Sequence, residues 1–426
     1  MLIDEKTTIF RATCVLPIEF PPINDGAVKI KKNKIVEVSK FSDIIKTKKD
    51  RIISLPDCLI MPGFVNTHTH LELTCLKGTI NKKNSFSKWV KEVIENKNKM
   101  SERDYKKSIK DGIVEAIKGG ITSFGDIAGT GLSPKIMKKM GVRGISFHEV
   151  IGFRNQDIAS AFYNLITRVA ISNAYCSDEN EIVSIGVSPH APYSVSPKLF
   201  RLAFGFAKKL KLQITTHLSE TKEEVRLLRR GDGPLKKLLS DLGSFEERWN
   251  APGCSPLKYL ESLKVLSPNT SIVHFNFFDD SDLKIAKKNK VKVIFCPKSN
   301  HQWFLRKTSP FMACIEKSVP ISIGTDSLAS NDSYNMFNEI KMVKSLYPFF
   351  SDEKILQIAT LGGAFCLGMD NKIGSLKRGK MADFILVKIP NKLKSKNLAE
   401  YIVAESKEVL LSVINGKIVY NSFPIL

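Results

Sequence analysis

Short apolar segments alternate with stretches of helical periodicity through most of this 426-residue chain. In one such stretch, Tyr105, Ile109, Ile113 and Ile117 recur every four residues, as on one buried face of a helix. Eight strand–helix units over about 300 residues predict an α/β fold, a (β/α)8 TIM barrel. A doubly wound sheet is the competing fold, but its glycine-rich phosphate-binding fingerprint is missing. The predicted strands are 59–65, 121–127, 142–150, 182–188, 212–216, 270–275, 291–296 and 319–324.

Both ends of the chain differ from this alternating middle, because they contain paired strand patterns. Segments 27–30 and 34–38 read as a hairpin, and segments 409–414 and 417–420 flank Asn415-Gly416. Asn-Gly between apolar runs is a strong hairpin signal, since a type I′ turn needs two positive φ angles. We therefore predict a small β-sandwich domain built from residues 1–58 and 370–426, with the barrel over residues 59–369.

Metal-binding side chains follow the predicted strands. In a TIM barrel the carboxyl ends of the strands form the active site, and five of the seven histidines of the chain lie at such ends. A single histidine there could simply be buried and bonded to a carbonyl group, but that reading does not account for five together. Three imidazoles and a carboxylate suit one divalent cation, Zn²⁺ or Fe²⁺. The strand-end residues are His68 and His70, His190, His217, His274 and Asp326.

Two features of spacing sharpen this prediction. His68 and His70 are two residues apart, so their imidazoles point to the same side of an extended chain. Glu220 follows His217 by three residues, in the segment THLSE. That spacing places an acid or base beside a metal ligand, although a glutamate in the first turn of a helix is also favoured by the helix dipole.

Composition excludes several other classes of protein. The formal net charge is +22, but the lysines are dispersed, without the basic, aromatic-interleaved runs of a nucleic-acid interface. No apolar run approaches the roughly 20 residues of a membrane span. The eight cysteines form no Cys-x-x-Cys pair, which favours reduced thiols, and the first residues lack the order of a signal peptide. We expect a cytoplasmic protein that binds neither nucleic acid nor membrane; a homodimer stays open.

The strand-end motifs together resemble the amidohydrolase superfamily. Within it, the chain is most similar to the single-metal branch of guanine, adenosine-type and S-adenosylhomocysteine/methylthioadenosine deaminases and related chlorohydrolases. The resemblance extends over nearly the whole chain, including the segment from Gly374 to Phe384 and the terminal β-sandwich. The motifs that carry it are PGFVNTHTH, SPHAPYS, THLSE, VHFN, CPKSN and GTDSLASN.

The resemblance implies a role for each motif residue. Metal ligation falls to His68, His70, His217 and Asp326. Glu220 matches the proton shuttle, and His274 matches the histidine that, with Asp326, orients the attacking water. His190 matches a histidine that contacts the substrate, and Trp89, in FSKWV, matches an aromatic that closes over the base. Two-metal members carry a bridging lysine after the fourth strand; here that strand ends Ser188-Pro189-His190, which implies one metal ion and deamination of an aromatic ring.

The resemblance also suggests a substrate. The segments HTHLEL, SNHQWF and SLASNDSYNMFNEI are similar to 6-aminodeoxyfutalosine deaminases of menaquinone biosynthesis, whose substrate is an adenine nucleoside carrying a benzoate. A carboxylate needs a cationic partner, and we predict Arg154, in GFRNQ, for that role. Adenosine, methylthioadenosine and S-adenosylhomocysteine remain alternatives.

Two other classes of protein remain to be weighed. A metal-free binding protein on this fold is one of them, although the complete ligand set argues against it. A deaminase acting on nucleic acid would suit the charge, but the His-x-Glu and Pro-Cys-x-x-Cys signature of those enzymes is absent.

Overall fold

A barrel of eight parallel strands forms the centre of the protein. The computed structural model describes residues 7–81, 85–177, 182–390, 393 and 397–423. The strands hydrogen-bond in chain order, and a bridge between Thr69 and Asp326 links the first strand to the end of the last. The predicted α/β barrel is therefore confirmed. Its strands are β5 (Phe64–Thr69), β6 (Ile121–Ala128), β7 (Arg143–Val150), β8 (Val183–Pro189), β9 (Ile214–Leu218), β10 (Thr270–His274), β11 (Lys292–Phe295) and β12 (Ile321–Ile323).

The first barrel strand lies further along the chain than the predicted 59–65. Residues 59–62 instead complete β4 (Arg51–Pro62), which pairs with another terminal strand. Gly63 separates β4 from β5, and a methyl group at its Cα would lie 2.1 Å from the side chain of Thr122. One continuous apolar run is thus divided between two sheets, and His68 lies inside a strand instead of after it.

Helices follow the barrel strands and bury one face each. The predicted stripe is confirmed in the second helix, where Ile109, Ile113 and Ile117 are buried. In the described residues the helices are α1 (Phe86–Lys97), α2 (Glu102–Lys118), α3 (Ser133–Met140), α4 (Ile158–Cys176), α5 (Pro197–Lys209), α6 (Lys222–Arg230), α7 (Pro234–Asp241), α8 (Pro256–Ser262), α9 (Asp280–Lys288), α10 (Phe311–Lys317), α11 (Met336–Leu346), α12 (Asp352–Gln357), α13 (Gly363–Cys366) and α14 (Leu398–Ala404). None of them combines the length and apolar character that a membrane span requires.

Strands from both ends of the chain form a separate sheet of seven strands, in the order β15-β14-β13-β4-β1-β2-β3. All neighbouring pairs are antiparallel except β1 and β4. The predicted turn at Asn415 and Gly416 has φ angles of 53° and 72°, as a type I′ hairpin requires. The remaining strands are β1 (Thr8–Val15), β2 (Ile23–Lys31), β3 (Lys34–Lys40), β13 (Phe384–Lys388), β14 (Leu411–Ile414) and β15 (Lys417–Asn421).

This sheet curls so that its two ends share one apolar core. Asn33, in the β2–β3 turn, donates a hydrogen bond of 3.3 Å to the amide oxygen of Asn415, in the β14–β15 turn. Between the two ends, the rings of Phe10 and Phe384 pack edge to face at 5.1 Å. The domain boundaries at 58/59 and 369/370 stay a prediction; the first falls within β4, which continues directly into the barrel.

A buried ion pair connects the barrel to the terminal sheet. Arg143, at the start of β7, donates to both carboxylate oxygens of Asp383, at 2.5 and 3.3 Å, and to the side-chain oxygen of Asn415 at 3.0 Å. The backbone amide of Asn415 completes the cluster by donating to Asp383. Both charged groups are almost fully excluded from water, so each is stabilised mainly by the opposite charge of the other.

Substitution Arg143→Met should therefore leave the Asp383 carboxylate buried without its cation. We expect the free energy of unfolding, measured by urea denaturation, to fall by about 3–5 kcal/mol. Arg11→Met is the matched control, because Arg11 pairs with Asp25 on the surface, where such pairs contribute about 0–1 kcal/mol. Equal losses in the two variants would contradict a structural role for the buried pair.

Candidate metal centre and active site

Four potential ligand groups meet at the carboxyl end of the barrel. His68 lies on β5, His70 just beyond it, His217 on β9, and Asp326 after β12. The Nε2 atoms of His68 and His70 are 3.2 Å apart. Asp326 Oδ1 lies 3.5 Å from the first of these atoms and 3.6 Å from the second. Ligand atoms of His68, His70 and His217 all lie within 4.8 Å of one another.

Hydrogen bonds around the cluster orient two of these ligands. His217 can donate from Nδ1 to the His190 carbonyl at 3.0 Å, which leaves its Nε2 lone pair free. Asp326 accepts from Ser299 and Ser330 through Oδ2, at 2.7 Å each, so its other oxygen is free to face the imidazoles.

Burial keeps the imidazoles of His68, His70 and His274 neutral by lowering the pKa of each. It lowers the pKa of His68 to about 4 and that of His274 to about 3. Burial alone would raise the pKa of Asp326, but its hydrogen bond with His68 and the neighbouring imidazoles hold the pKa well below its ordinary value. Neutral imidazoles beside a carboxylate are the protonation states that a metal ion requires.

The arrangement fits a divalent cation. Two imidazole nitrogens 3.2 Å apart would direct lone pairs at each other unless a proton or a cation lay between or beside them. Nitrogen and carboxylate donors of this kind suit Zn²⁺ or Fe²⁺. His68, His70, His217 and Asp326 are the residues that would hold the ion, as predicted from the motifs.

Glu220 and His274 adjoin this cluster, and a ring nitrogen of His274 lies within 4.8 Å of ligand atoms of His68 and Asp326. Glu220 is buried, and its Oε2 lies 3.7 Å from His274 Nε2. His274 is oriented through its other nitrogen by Asn300, at 3.2 Å. A buried carboxylate next to the ligands, but absent from the ligand cluster itself, has the position that a proton shuttle needs.

Arg306 is a member of this network that the motifs did not indicate. Its guanidinium donates to Glu220 Oε1 at 3.0 Å and to Asn300 Oδ1 at 2.7 Å, and it stacks over Phe304 at 4.2 Å. The backbone reaches this position through Leu305, which has a φ of 53°. No spacing in the sequence predicts that reversal, because a positive φ at leucine depends on tertiary contacts.

Trp89 lies at the mouth of the site, on α1. A carboxylate of the barrel positions this helix: Glu223 accepts hydrogen bonds from Ser85 and from the backbone amides of residues 86 and 87, at 2.9 to 3.0 Å. The indole nitrogen of Trp89 donates to the Ala329 carbonyl at 3.1 Å, and the indole ring stacks on Phe86 at 5.6 Å. An aromatic surface therefore covers one side of the opening.

A cavity of about 520 Å³ is lined by His70, His217, Asp326, Glu220, His274 and Trp89. His190 lines it and is held by Ser194 at 2.6 Å; burial lowers the pKa of His190 to about 4, so it is a neutral ring. Away from the metal ligands much of the wall is apolar, beside the polar side chains of Asp157, Ser160, Asn164 and Ser244. Helix α7 and the residue after it supply much of that wall through Leu235, Leu238, Leu239 and Leu242.

The predicted role of Arg154 finds no support in its contacts. Its guanidinium forms a two-pronged ion pair with Asp157, at 2.8 and 3.0 Å. Asp157 lines the cavity and Arg154 does not. The prediction placed Arg154 correctly in the loop after the third barrel strand, but a carboxylate three residues further on already occupies its donors.

The family model for the amidohydrolase family matches residues 59–419. Over 397 residues the chain is 28% identical to the 5′-deoxyadenosine deaminase of Methanosphaera stadtmanae, covering 89% of this chain and 86% of that protein. A zinc-containing adenosine deaminase of Xanthomonas campestris is 25% identical, with a TM-score of 0.82 over 96% of this chain and 92% of that one. The aminofutalosine deaminase of Helicobacter pylori has the same fold, with a TM-score of 0.85 at 22% identity over 97% and 100% of the chains.

Removal of one ligand should release the metal. We expect His70→Ala, purified beside the unchanged protein, to contain markedly less zinc or iron by elemental analysis, because one of four donors is gone. Glu220→Gln should keep its metal, since Glu220 lies outside the ligand cluster. His301→Ala controls for loss of an imidazole, as His301 packs on Phe295 and is not among the described residues grouped as possible metal ligands. Full metal content in His70→Ala would refute the ligand assignment.

Substitution of Arg306 should lower the reaction rate without changing the metal content. Arg306→Met removes the donor that fixes Glu220, so kcat should fall by roughly 10–100-fold, as expected when a charged hydrogen bond is lost, while metal content is unchanged. Arg306→Lys should restore part of the rate, because one ammonium can still reach one of the two acceptors. A fall in metal content that matches the loss of rate would show that Arg306 supports the fold and not Glu220.

Proposed function

The chain belongs to the amidohydrolase family, and from this premise we propose that it hydrolytically deaminates an adenine nucleoside. One observation carries the proposal: Glu220 and His274 lie side by side in a cavity that His70, His217 and Asp326 also line, and His68 is grouped with these residues. That arrangement supplies a proton donor and an ion-binding site on one side of a space lined by aromatic rings. The adenine nucleosides named for the relatives agree with it.

Each group has a defined task in this reaction. A divalent cation held by the four ligands would lower the pKa of a water molecule there. Glu220 takes one proton from that water and passes it to a ring nitrogen of the base. Once the oxygen has bonded to the ring carbon, Glu220 takes the second proton of the water and passes it to the departing amino group. His274 and Asp326 orient the attacking oxygen. A bond forms between that oxygen and the ring carbon, the carbon–nitrogen bond breaks, and ammonia leaves.

The base is held by contacts on both sides. Trp89 and Phe86 offer a stacked aromatic surface, which suits a planar ring. His190 lies close to His217 and Tyr193, so its neutral imidazole is placed to contact the polar edge of the base. These contacts position the ring carbon without involving the sugar.

The apolar wall bears on the identity of the 5′ substituent. Leu235, Leu238 and Leu239 give no hydrogen bond to a 5′-hydroxyl group, whereas a methyl, methylthio or aromatic group would be buried favourably there. We therefore place 5′-deoxyadenosine and methylthioadenosine within the proposed substrate class. The hydrophobic wall disfavours plain adenosine, whose hydroxyl would be unpaired.

6-Aminodeoxyfutalosine, the substrate of the menaquinone route suggested by the motifs, is a more specific candidate substrate within this class. Its aromatic ring suits the same wall. To pair with Arg154, its carboxylate would have to displace Asp157 from the guanidinium. A neutral 5′ group avoids that free-energy cost. The zinc or iron identity of the metal, a cytoplasmic location and a homodimer stay predictions from the sequence.

A panel of adenine nucleosides tests the proposal. We expect 5′-deoxyadenosine and methylthioadenosine to be deaminated with kcat/KM at least about 10-fold above adenosine, since leaving a hydroxyl unpaired costs about 1–3 kcal/mol. Ammonia release and loss of the adenine absorbance provide two independent readings. A preference for adenosine would contradict the assignment of the apolar wall, and inactivity on every nucleoside would contradict the function.

The same assay, with 6-aminodeoxyfutalosine included, tests this more specific candidate substrate. Arg154→Met should leave KM for 5′-deoxyadenosine unchanged. A rise in KM for 6-aminodeoxyfutalosine alone would show that its carboxylate recruits Arg154. Arg226→Met is the matched control, since Arg226 forms a similar exposed pair with Asp232.

A further inference from the structure

The carboxylates around the cavity differ in how their hydrogen-bonding capacity is used. Glu72 is saturated by the loop after β6, where it accepts from the amides of Gly129 and Thr130 at 3.0 Å and from the Thr130 hydroxyl at 2.5 Å. Glu220 is bonded to Arg306. These two acids, like Asp326 and Asp157, have their partners within the protein.

Glu149 is the exception. It is the last but one residue of β7, in register with Ser188 on β8, and it lines the cavity. The preceding residue points the other way, because His148 bonds to Ser172 on α4 at 2.9 Å, so Glu149 is directed inward. In the described part of the chain, no hydrogen bond or ion pair is formed by the Glu149 carboxylate.

Lys97 is the corresponding cation. It is the last residue of α1, the helix that also carries Trp89, and it is the lysine that lines the cavity in the described residues. Its ammonium group likewise makes no hydrogen bond or ion pair with another described residue. A half-buried ammonium without a partner retains all three of its donors for a ligand.

These charged groups converge on one glycine. A methyl group at the Cα of Gly129 would lie 3.3 Å from Glu72 Oε2, 3.7 Å from Glu149 Oε2 and 4.0 Å from Lys97 Nζ. Any side chain at this position would therefore enter the space between the acid and the ammonium. Glu72 is fully bonded, so only Glu149 and Lys97 have capacity left for a ligand.

The chemistry of the pair selects the ligand group. An anion bound by Lys97 would be repelled by Glu149, and a cation bound by Glu149 would be repelled by Lys97. A neutral group with two adjacent hydroxyls satisfies both residues, because its O–H groups donate to the carboxylate and its oxygens accept from the ammonium. In an adenine nucleoside that group is the 2′,3′-diol of the ribose.

The location agrees with this chemistry. In the register of β7 and β8, Glu149 lies level with Ser188, two residues before His190, so it belongs to the end of the cavity near the ligand cluster. The leucines of α7 line the same cavity. With the base at the ligand cluster and the 5′ group against these leucines, the sugar between them is the part of the nucleoside left for Glu149 and Lys97.

We propose that Glu149 and Lys97 form the subsite that recognises the vicinal diol of the substrate's sugar and so set specificity for ribonucleosides. The proposal rests on the proposed function, since it requires the base to lie at the ligand cluster. It assigns no chemical step to either residue.

The test compares 5′-deoxyadenosine with its 2′-deoxy and 3′-deoxy analogues, on the metal-loaded protein and on Glu149→Ala, Glu149→Gln and Lys97→Met. For the unchanged protein, removal of either hydroxyl should lower kcat/KM by roughly 10–100-fold, as for a lost charged hydrogen bond. Glu149→Ala should lower kcat/KM for the diol substrate by a similar factor and bring the three substrates to within a few-fold of one another. Glu149→Gln, which keeps one acceptor oxygen, should lie between.

Controls on the same elements exclude a general effect. Lys91→Met and Glu95→Ala alter exposed side chains of α1 and should preserve the ribose preference. Metal content of each variant shows whether the centre is intact. Glu149→Ala that retains metal and still discriminates against the deoxy analogues overturns the subsite.

Direct binding separates this failure from failure of the proposed function. Titration calorimetry on metal-loaded Glu220→Gln, with and without Glu149→Ala, measures the preference for 5′-deoxyadenosine over its 2′-deoxy analogue without turnover. Preference in binding, lost in Glu149→Ala, supports the subsite even if no nucleoside is deaminated. Absence of binding by all of the nucleosides overturns both proposals.

Discussion

The structure depends on bringing three imidazoles and a carboxylate to one point. His68, His217 and Asp326 come from strands or strand ends far apart in the sequence, and only barrel closure makes them neighbours. The bridge between Thr69 and Asp326 is part of that closure, so the fold and the ligand cluster form together. Neutral imidazoles with inward lone pairs are costly to bury without a cation, which is the physical reason for expecting the ion.

Around the cluster, polar groups divide into those satisfied by the protein and those left for a ligand. Glu223 is used to hold α1, Glu72 to hold the loop after β6, and Arg306 to hold Glu220. These contacts fix the walls of the cavity before a substrate arrives, and preorganised groups pay less reorganisation cost during a reaction. Glu149 and Lys97 stand out because no hydrogen bond or ion pair to another described residue engages their side chains.

The terminal sheet contributes at a distance. It contains no residue of the cluster, yet β4 runs directly into β5, which carries His68. The buried pair of Arg143 and Asp383 fastens the start of β13, the strand next to β4, to the start of β7, the strand that ends at Glu149 and Val150. The position of two active-site strands is therefore coupled to the packing of both chain termini.

The sequence by itself determined the architecture, since the period of the apolar residues distinguishes helix from strand and the number of units specifies a barrel. It also indicated the ligand cluster and Glu220, because strand ends in a barrel converge whatever the loops do. Tertiary structure decided the rest. The run from Leu59 to Val65 reads as one strand and is divided between two sheets at Gly63, where contact with Thr122 leaves no room for a side chain. Arg154 lies in the expected loop, where Asp157 accepts two of its hydrogen bonds, and its role toward a substrate carboxylate stays a prediction. Arg306 and Glu149 gave no signal in sequence: whether a charge is paired or free depends on which elements meet in space.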